Sequence, residues 1–404
     1  MGVIKGKYTF RILISLIFFI GYFFTTAQPI PVEAIMVPQW LSSLESNYPV
    51  YFDGTAPVQN GELADSAENT ADQSHAAENT GQEPQNSPAE TPAGTPDESG
   101  AEFLLPFELG ARFGYIDPEG RYVINREKQG YLSISENHWA EYKAQAETIE
   151  VMDPRNKLVA KLTEPRGYPL FLDNRLFIIN EEQNAITAVD EAGKKLWSYD
   201  FASLITDIDA AAGLILVGFL DGTVELLNSQ GKRVFFFEPG GSRLSVICAC
   251  RISHDGTKLA VISGYDDQRF LLLEKSSDSY KVIYHEFLSG GFRRAVHLAF
   301  IDNDRRVVFE REGGLEIYDI AGRTNVKVNL DGRINALDNS GEDDLLFVIT
   351  SQSEQRKELV GIRFPGEIIM EAPFKSRNAF LGRKGERLYV GGGNVIAAFE
   401  LHRR

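Results

Sequence analysis

The chain has two cysteines in 404 residues, Cys248 and Cys250, which excludes a disulfide framework for a protein of this size. Both stand in "VICACRIS". On a strand, residues i and i+2 share a face, so the pair is expected as two small buried core residues rather than a redox couple or soft-metal site. The six histidines, His75, His138, His254, His285, His297 and His402, show neither HxH nor HExxH spacing, so no metal site is expected. There is no G-x-S-x-G elbow and no Walker loop. No cluster of Asp, Asn and Glu has the density of a calcium loop. The run Gly391–Gly393 lies between two apolar segments and reads as a tight turn rather than a phosphate cradle. Net charge is -16, so the basic footprint of a nucleic-acid binder is missing. Nothing supplies a complete catalytic set or a cofactor motif, and no enzyme activity is expected.

Basic residues are also absent from 53–101, where ten acids stand without a Lys or Arg and "AENT" occurs twice, at Ala67–Thr70 and Ala77–Thr80. Removing these ten charges leaves about -6 for the remainder. Aromatic and β-branched residues are nearly absent, so the segment cannot bury enough surface to offset its ordering entropy. It is expected to be a disordered acidic linker with a mean reach of about 40 Å, tethering the domain that follows. At the N-terminus, Lys5, Lys7 and Arg11 precede the apolar run "ILISLIFFIGYFF" (Ile12–Phe24). The basic flank, 1–11, is expected to stay cytoplasmic, with 12–27 as a membrane-spanning signal-anchor or a signal peptide cleaved after Ala27. On either reading the rest lies outside the cytoplasm, periplasmic or at the cell surface. Residues 28–52 form a juxtamembrane segment, whose part "PQWLSSLESNYPVYF" is expected on the membrane surface or against a partner.

From 102 to 404 the chain alternates short apolar and polar runs broken by Gly, Asp, Asn and Ser. The one stretch with helical character is "ENHWAEYKAQAETIE" (Glu136–Glu150), read as a short helical insert. A turn followed by a core strand recurs at Asp117, Asp173, Ala211, His254, Asp302, Asn339 and Arg383, seven copies. A second hairpin with an Asp/Asn-x-x-Gly turn follows most of them, as in "AVDEAGKKLWSYDF" (Ala188–Phe201) and "LLNSQGKRVFFF". Two hairpins per unit describe a four-stranded propeller blade. The sequence therefore predicts an all-β fold: a single β-propeller of seven blades, with eight as the alternative. The last unit lacks an outer strand, and "EFLLPFEL" (Glu102–Leu109) precedes the first unit with no other role. That segment is expected to complete the last blade and close the ring.

Ala188, Asp190, Gly193 and Trp197 resemble the A-x-D-x-x-G-x-x-x-W repeat of quinoprotein-like (PQQ-like) propellers, and "ISHDGTKLAVISG" resembles the turn-strand of WD40-like and TolB-like propellers. The resemblance covers 103–404 as architecture and implies a propeller. A quinone cofactor is not implied, because those enzymes carry an adjacent cysteine pair, separated here by Ala249. In architecture the chain also resembles the propeller scaffold of outer-membrane protein assembly. That scaffold is lipid-anchored, and no cysteine follows the apolar run here.

One constellation stands out. Arg112, Arg166, Arg243, Arg294, Arg333 and Arg377 each precede a predicted inner strand, in six of seven units, and Leu204 takes that place in the third. Inner strands of a propeller start at one mouth of the channel, so six guanidiniums are expected to ring it. Arginine forks bind carboxylates and phosphates bidentately, which suits an anion, a glycan or an acidic peptide, including the chain's own acidic linker. Structural pairing with Asp207, Asp209, Asp331 or Asp338 is the competing expectation. His297, in "RRAVHLAF", is expected to face the channel as a hydrogen-bonded structural residue. The function that follows is a membrane-tethered, non-catalytic scaffold for a protein or peptide partner in the cell envelope. A ligand-capturing sensor is the alternative and a propeller enzyme the second alternative.

Overall fold

The computed structural model describes residues 34–46, 49–52, 103–341 and 343–403. The predicted membrane segment (12–27) and the acidic linker (53–101) lie outside these residues. Among the described residues no helix is long and apolar enough to cross a membrane. The large compact unit is Val37–Glu400, and the chain ends beyond it form a separate one.

Among the described residues every element is a strand, and the strands form eight antiparallel sheets: six of four strands, one of three and one of five. These are the blades of a single propeller. They take residues 105–127, 131–163, 167–200, 205–237, 247–287, 298–329, 333–375, and 379–403 with the strands Ala34–Ser43 and Pro49–Tyr51. The count is therefore eight, not seven. The blade hidden in the sequence is the second. Its stretch Glu136–Glu150, expected to be helical, instead holds the strands Trp139–Tyr142 and Thr148–Met152. Trp139 is buried against Phe113 of blade one, at 5.2 Å between rings, and Ile149 and Val151 alternate with exposed neighbours. Its innermost strand, Tyr131–Ile134, has no fully buried residue, as is also true of Ile205–Ala211 in blade four.

The outer hairpins of blades one to four share one turn. In "DEAG" the Asp190 carboxylate accepts the backbone N–H of Ala192 (3.0 Å) and Lys194 (2.8 Å), while Gly193 takes φ +82°. Asp117, Asp153 and Asn228 accept the same pair of amides, two and four residues on. An Asx side chain thus satisfies amides that the tight turn leaves without strand partners. Between blades the core is apolar and aromatic: Phe270 of blade five stacks on Phe309 of blade six at 4.2 Å.

Ring closure uses a different segment from the one expected. Strand Ala34–Ser43 lies beside Val395–Arg403 as the fourth strand of blade eight. Trp40, 2 % exposed, rests on Tyr389 of blade eight and donates its indole N–H to Pro118 O of blade one at 2.9 Å. Asn125 Nδ2 donates to Leu44 O (2.8 Å) and Tyr122 Oη to Ser42 O (3.1 Å), both from blade one. Residues 38–52 are thus part of the propeller, not a surface segment beside it. The acidic stretch 53–101 consequently connects blade eight to blade one instead of separating a membrane segment from the ring.

The expected closing strand, Leu105–Leu109, pairs with Arg112–Ile116 inside blade one. It runs against its neighbour, the innermost strand of blade eight, Ala379–Lys384. A Cβ added to Gly110 would stand 2.8 Å from Asn378, whereas one on Gly382 would stand 3.3 Å from Leu105. Innermost strands elsewhere run parallel: Cys250 N and Ile252 N of blade five meet Asp207 and Asp209 of blade four in the same order. Leu105–Leu109 therefore holds the second position, and blade one has no innermost strand among the described residues. Its three strands match the outer three of its sisters, including the Asp117 turn.

The two cysteines are buried, as expected, but do not share a face. A bulge between Ile247 and Ala249 turns Cys248 toward blade six, while Cys250 packs toward blade four. A bulge residue breaks the two-residue alternation.

Candidate functional site

Innermost strands begin at what we term the first mouth and end at the second. Five of the six arginines stand where an innermost strand begins. Arg166 precedes Gly167–Leu172, Arg243 precedes Ile247–Ile252, Arg294 precedes Leu298–Ile301, Arg333 opens Arg333–Leu337, and Arg377 precedes Ala379–Lys384. Arg112 does not belong to this set. It opens the third-position strand of blade one, farther from the channel, and its Nε donates to Asn125 Oδ1 at 2.7 Å.

The five are not equivalent. Arg294 is held by Glu310 through two hydrogen bonds, 2.6 and 2.9 Å, with Phe292 4.4 Å beneath its plane. Glu310 is buried, so this pair is structural: a lone carboxylate there would be costly. Arg243, 91 % exposed in its side chain, reaches Asp266 at 3.2 Å, and Arg377 stands 4.0 Å from Glu354 with both side chains open to solvent. Exposed pairs of this kind contribute about 0–1 kcal/mol and leave the guanidiniums accessible. Arg166 and Arg333 are exposed and have no ion pair among the described residues.

None of the acids expected as partners fills that role. Asp207 pairs with Arg251 at 2.6 Å, Asp209 accepts Ile252 N at 2.8 Å, and Asp338 lies 3.6 Å from Arg383. Asp207 and Asp209 cover the channel-side edge of the next blade's innermost strand, whose amides have no other strand to meet. His297 sits just before the innermost strand of blade six, with its amide N–H donating to Glu310 at 3.2 Å. Burial lowers its imidazole pKa, opposed by the Glu310 carboxylate.

A feature that the arginine pattern concealed lies on the same face. Leu204, Leu220 and Leu244 are 45, 52 and 59 % exposed. They stand on neighbouring loops: Leu220 N donates to Leu204 O at 2.9 Å, the Gly222 turn presses on Ser245, and Tyr265 N donates to Leu244 O at 3.1 Å. Arg293 caps Tyr265 at 5.0 Å, and Arg243 flanks Leu244 in the chain. The loops of blades three to six thus form an aliphatic row ending in guanidiniums. In sequence, the only signal was the leucine that replaced an arginine at position 204.

At the second mouth a pocket of about 320 Å³ is lined by Asp209, Arg251, His254, Asp302 and Asp304. Its carboxylates are engaged: Asp302 binds Arg305 and Arg306, and Asp304 accepts Asp255 N at 3.4 Å. Among the described residues no group of three or more His, Cys, Asp or Glu is placed to hold a metal ion. Both ends of the acidic stretch emerge on this side. Tyr51 Oη donates to Glu119 O at the Asp117 turn, and Phe103 packs under Lys384 at 4.7 Å.

Eight sheets of antiparallel strands closed by an N-terminal strand, with loop-built faces, define a β-propeller protein. The comparisons agree: over residues 2–403 the chain matches, and so belongs to, a family described as beta-propeller protein. A Treponema pallidum (strain Nichols) protein described as uncharacterized is 27% identical over 353 residues, covering 87% of this chain and 83% of its own. BamB from Moraxella catarrhalis is similar in structure, with a TM-score of 0.53 and 14% identity, over 74% of this chain and 95% of that one. A chain of the mitotic checkpoint complex gives a TM-score of 0.50 and 13% identity, over 80% of this chain and 99% of its own. At such identities the two structures speak to the fold alone.

Proposed function

We propose that the propeller is a non-catalytic protein-interaction scaffold of the cell envelope, with the first mouth as its docking face. The observation that carries this reading is the row Leu204–Leu220–Leu244 bordered by arginines. Exposed aliphatic surface costs solubility and is retained where a partner covers it; arginine is enriched at interfaces because it stacks and forks onto carboxylates. The partner is an extended segment or loop with aliphatic side chains flanked by acids. The apolar run 12–27 holds the ring at a membrane, outside the cytoplasm. Six residues, 28–33, separate it from the first described strand, a connection of at most about 20 Å. Affinity capture of the full chain from its own membranes tests the reading. The double variant Leu220→Asp/Leu244→Asp is expected to fold normally and to lose at least nine-tenths of the captured partner. Recovery of the same partners in the same amount would overturn it.

A second reading, capture of an anion, glycan or acidic peptide, is favoured by one observation: Arg166 and Arg333 are exposed without an ion pair among the described residues. Replacing both by Gln is expected to abolish ligand binding on this reading while leaving captured proteins unchanged.

A further inference from the structure

A larger cavity, about 570 Å³, opens on the side where the outer-hairpin turns lie, at the junction of blades two and three. It lies where blade two carries a small residue and blades three, four and five carry Trp197, Phe235 and Tyr284. In blade three Trp197 stands opposite Ala188, covers Gly231 of blade four and donates its indole N–H to Ser229 O at 2.9 Å. Trp40 makes the equivalent contact from blade eight, over Gly120 and onto Pro118 O. Blade two carries Ala160 at this position, opposite Val151 in the same register. Its outer strand meets the blade-three turn: a Cβ on Gly193 would stand 3.0 Å from Leu162 Cδ2 and 3.1 Å from Lys161 O. The remaining space is walled by Ala160 and Val159 from blade two and by Phe171, Leu176 and Leu196 from blade three. Leu196 is 63 % exposed at the rim.

The polar groups of this cavity are few and oriented. Arg175 stands over the Phe177 ring at 5.2 Å, and its Nε and Nη2 are buried without a hydrogen-bond acceptor. The nearest carboxylate oxygen, of Asp173, is 3.5 Å from Nη2, too far for a good hydrogen bond. A buried donor without an acceptor destabilises the site, and an incoming carboxylate would supply that acceptor. His138 is stacked on Phe171, with rings 5.7 Å apart and 22° from parallel. Burial lowers its pKa, opposed by the Asp153 and Glu191 carboxylates. Asp190 and Glu191 at the edge repel ligands with several negative charges.

We propose that this cavity is a binding site for a small aromatic monocarboxylate, its ring between Phe171, Leu176 and Leu196 and its carboxylate on Arg175. The volume lies within the range of about 300–1,000 Å³ that small-molecule sites occupy, and aromatic walls suit a flat ring. The site is distinct from the first mouth and does not depend on it.

Titration calorimetry on the full chain tests this, with indole-3-acetate as the probe and indole-3-acetamide as its uncharged counterpart. The acid is expected to bind with one site per chain, at least tenfold more tightly than the amide. Arg175→Gln is expected to remove that preference, leaving acid and amide equal. Val159→Trp, at a partly exposed rim position that tolerates replacement, is expected to block both ligands without lowering the melting temperature. No binding of the acid at millimolar concentration would overturn the assignment. So would an unchanged acid preference in Arg175→Gln, or unchanged binding in a folded Val159→Trp protein.

Discussion

Trp40→Ala tests how the ring is closed. Trp40 is 2 % exposed, lies over Tyr389 at 6.0 Å between rings, and donates to Pro118 O across the seam between blades eight and one. Truncating a buried aromatic to Ala costs about 3–5 kcal/mol, while Pro118 O keeps a second donor, Arg387 Nη1 at 3.0 Å. The chain joins every other pair of neighbouring blades directly, whereas here only the connection 53–101 does so. Loss of packing at this seam therefore opens the ring itself. At about 2 °C per kcal/mol for a domain of this size, the melting temperature should fall by about 6–10 °C. Trp197→Ala is the internal control, since it makes the same contact between blades joined in sequence and is only half-buried. It should cost less than half as much. Circular dichroism melts of both variants read the difference. A Trp40→Ala protein melting within 2 °C of the parent, or one no worse than Trp197→Ala, would refute the role given to Ala34–Ser43.

Other predictions follow from particular contacts. Gly231→Ala and Gly213→Ala both place a side chain at positive φ, but only the first drives a Cβ to 2.4 Å from an indole, while the second meets open space. The first should therefore lower stability by at least about 1–3 kcal/mol more, as read by urea denaturation. Arg294→Met strands the buried Glu310 and should cost about 3–5 kcal/mol, whereas Arg333→Ala should change stability by less than about 0.5 kcal/mol. Burial lowers the pKa of His297, which faces Glu310, Arg294 and Arg251. The unfolded chain thus binds the proton more readily, so this group's contribution is present above pH of about 6.5 and is lost as pH falls below it. Melting temperatures at pH 7.5 and 5.5 should differ less in His297→Gln than in the parent protein.

The sequence by itself determined the architecture. Alternating strands, recurrent Asx-x-x-Gly turns and two hairpins per unit lead to a propeller, because these are local signals fixed by side-chain alternation and turn chemistry. It also placed five arginines at one mouth, since the start of an innermost strand can be read from chain order. Blade two is hidden in the sequence because Glu136–Glu150, which holds two of its strands, has helical character. Contacts between distant parts of the chain were decided by the tertiary structure alone. Ring closure by Ala34–Ser43 in place of Glu102–Leu109 depends on which segment meets Val395–Arg403, and both candidates are apolar enough to do so. The leucine row depends on three loops brought side by side, and the Arg175 cavity on a small residue, Ala160, where blades three to five carry Trp197, Phe235 and Tyr284. A turn or an alternation is written within a few residues; a seam, a row or a gap between blades exists only once the ring has closed.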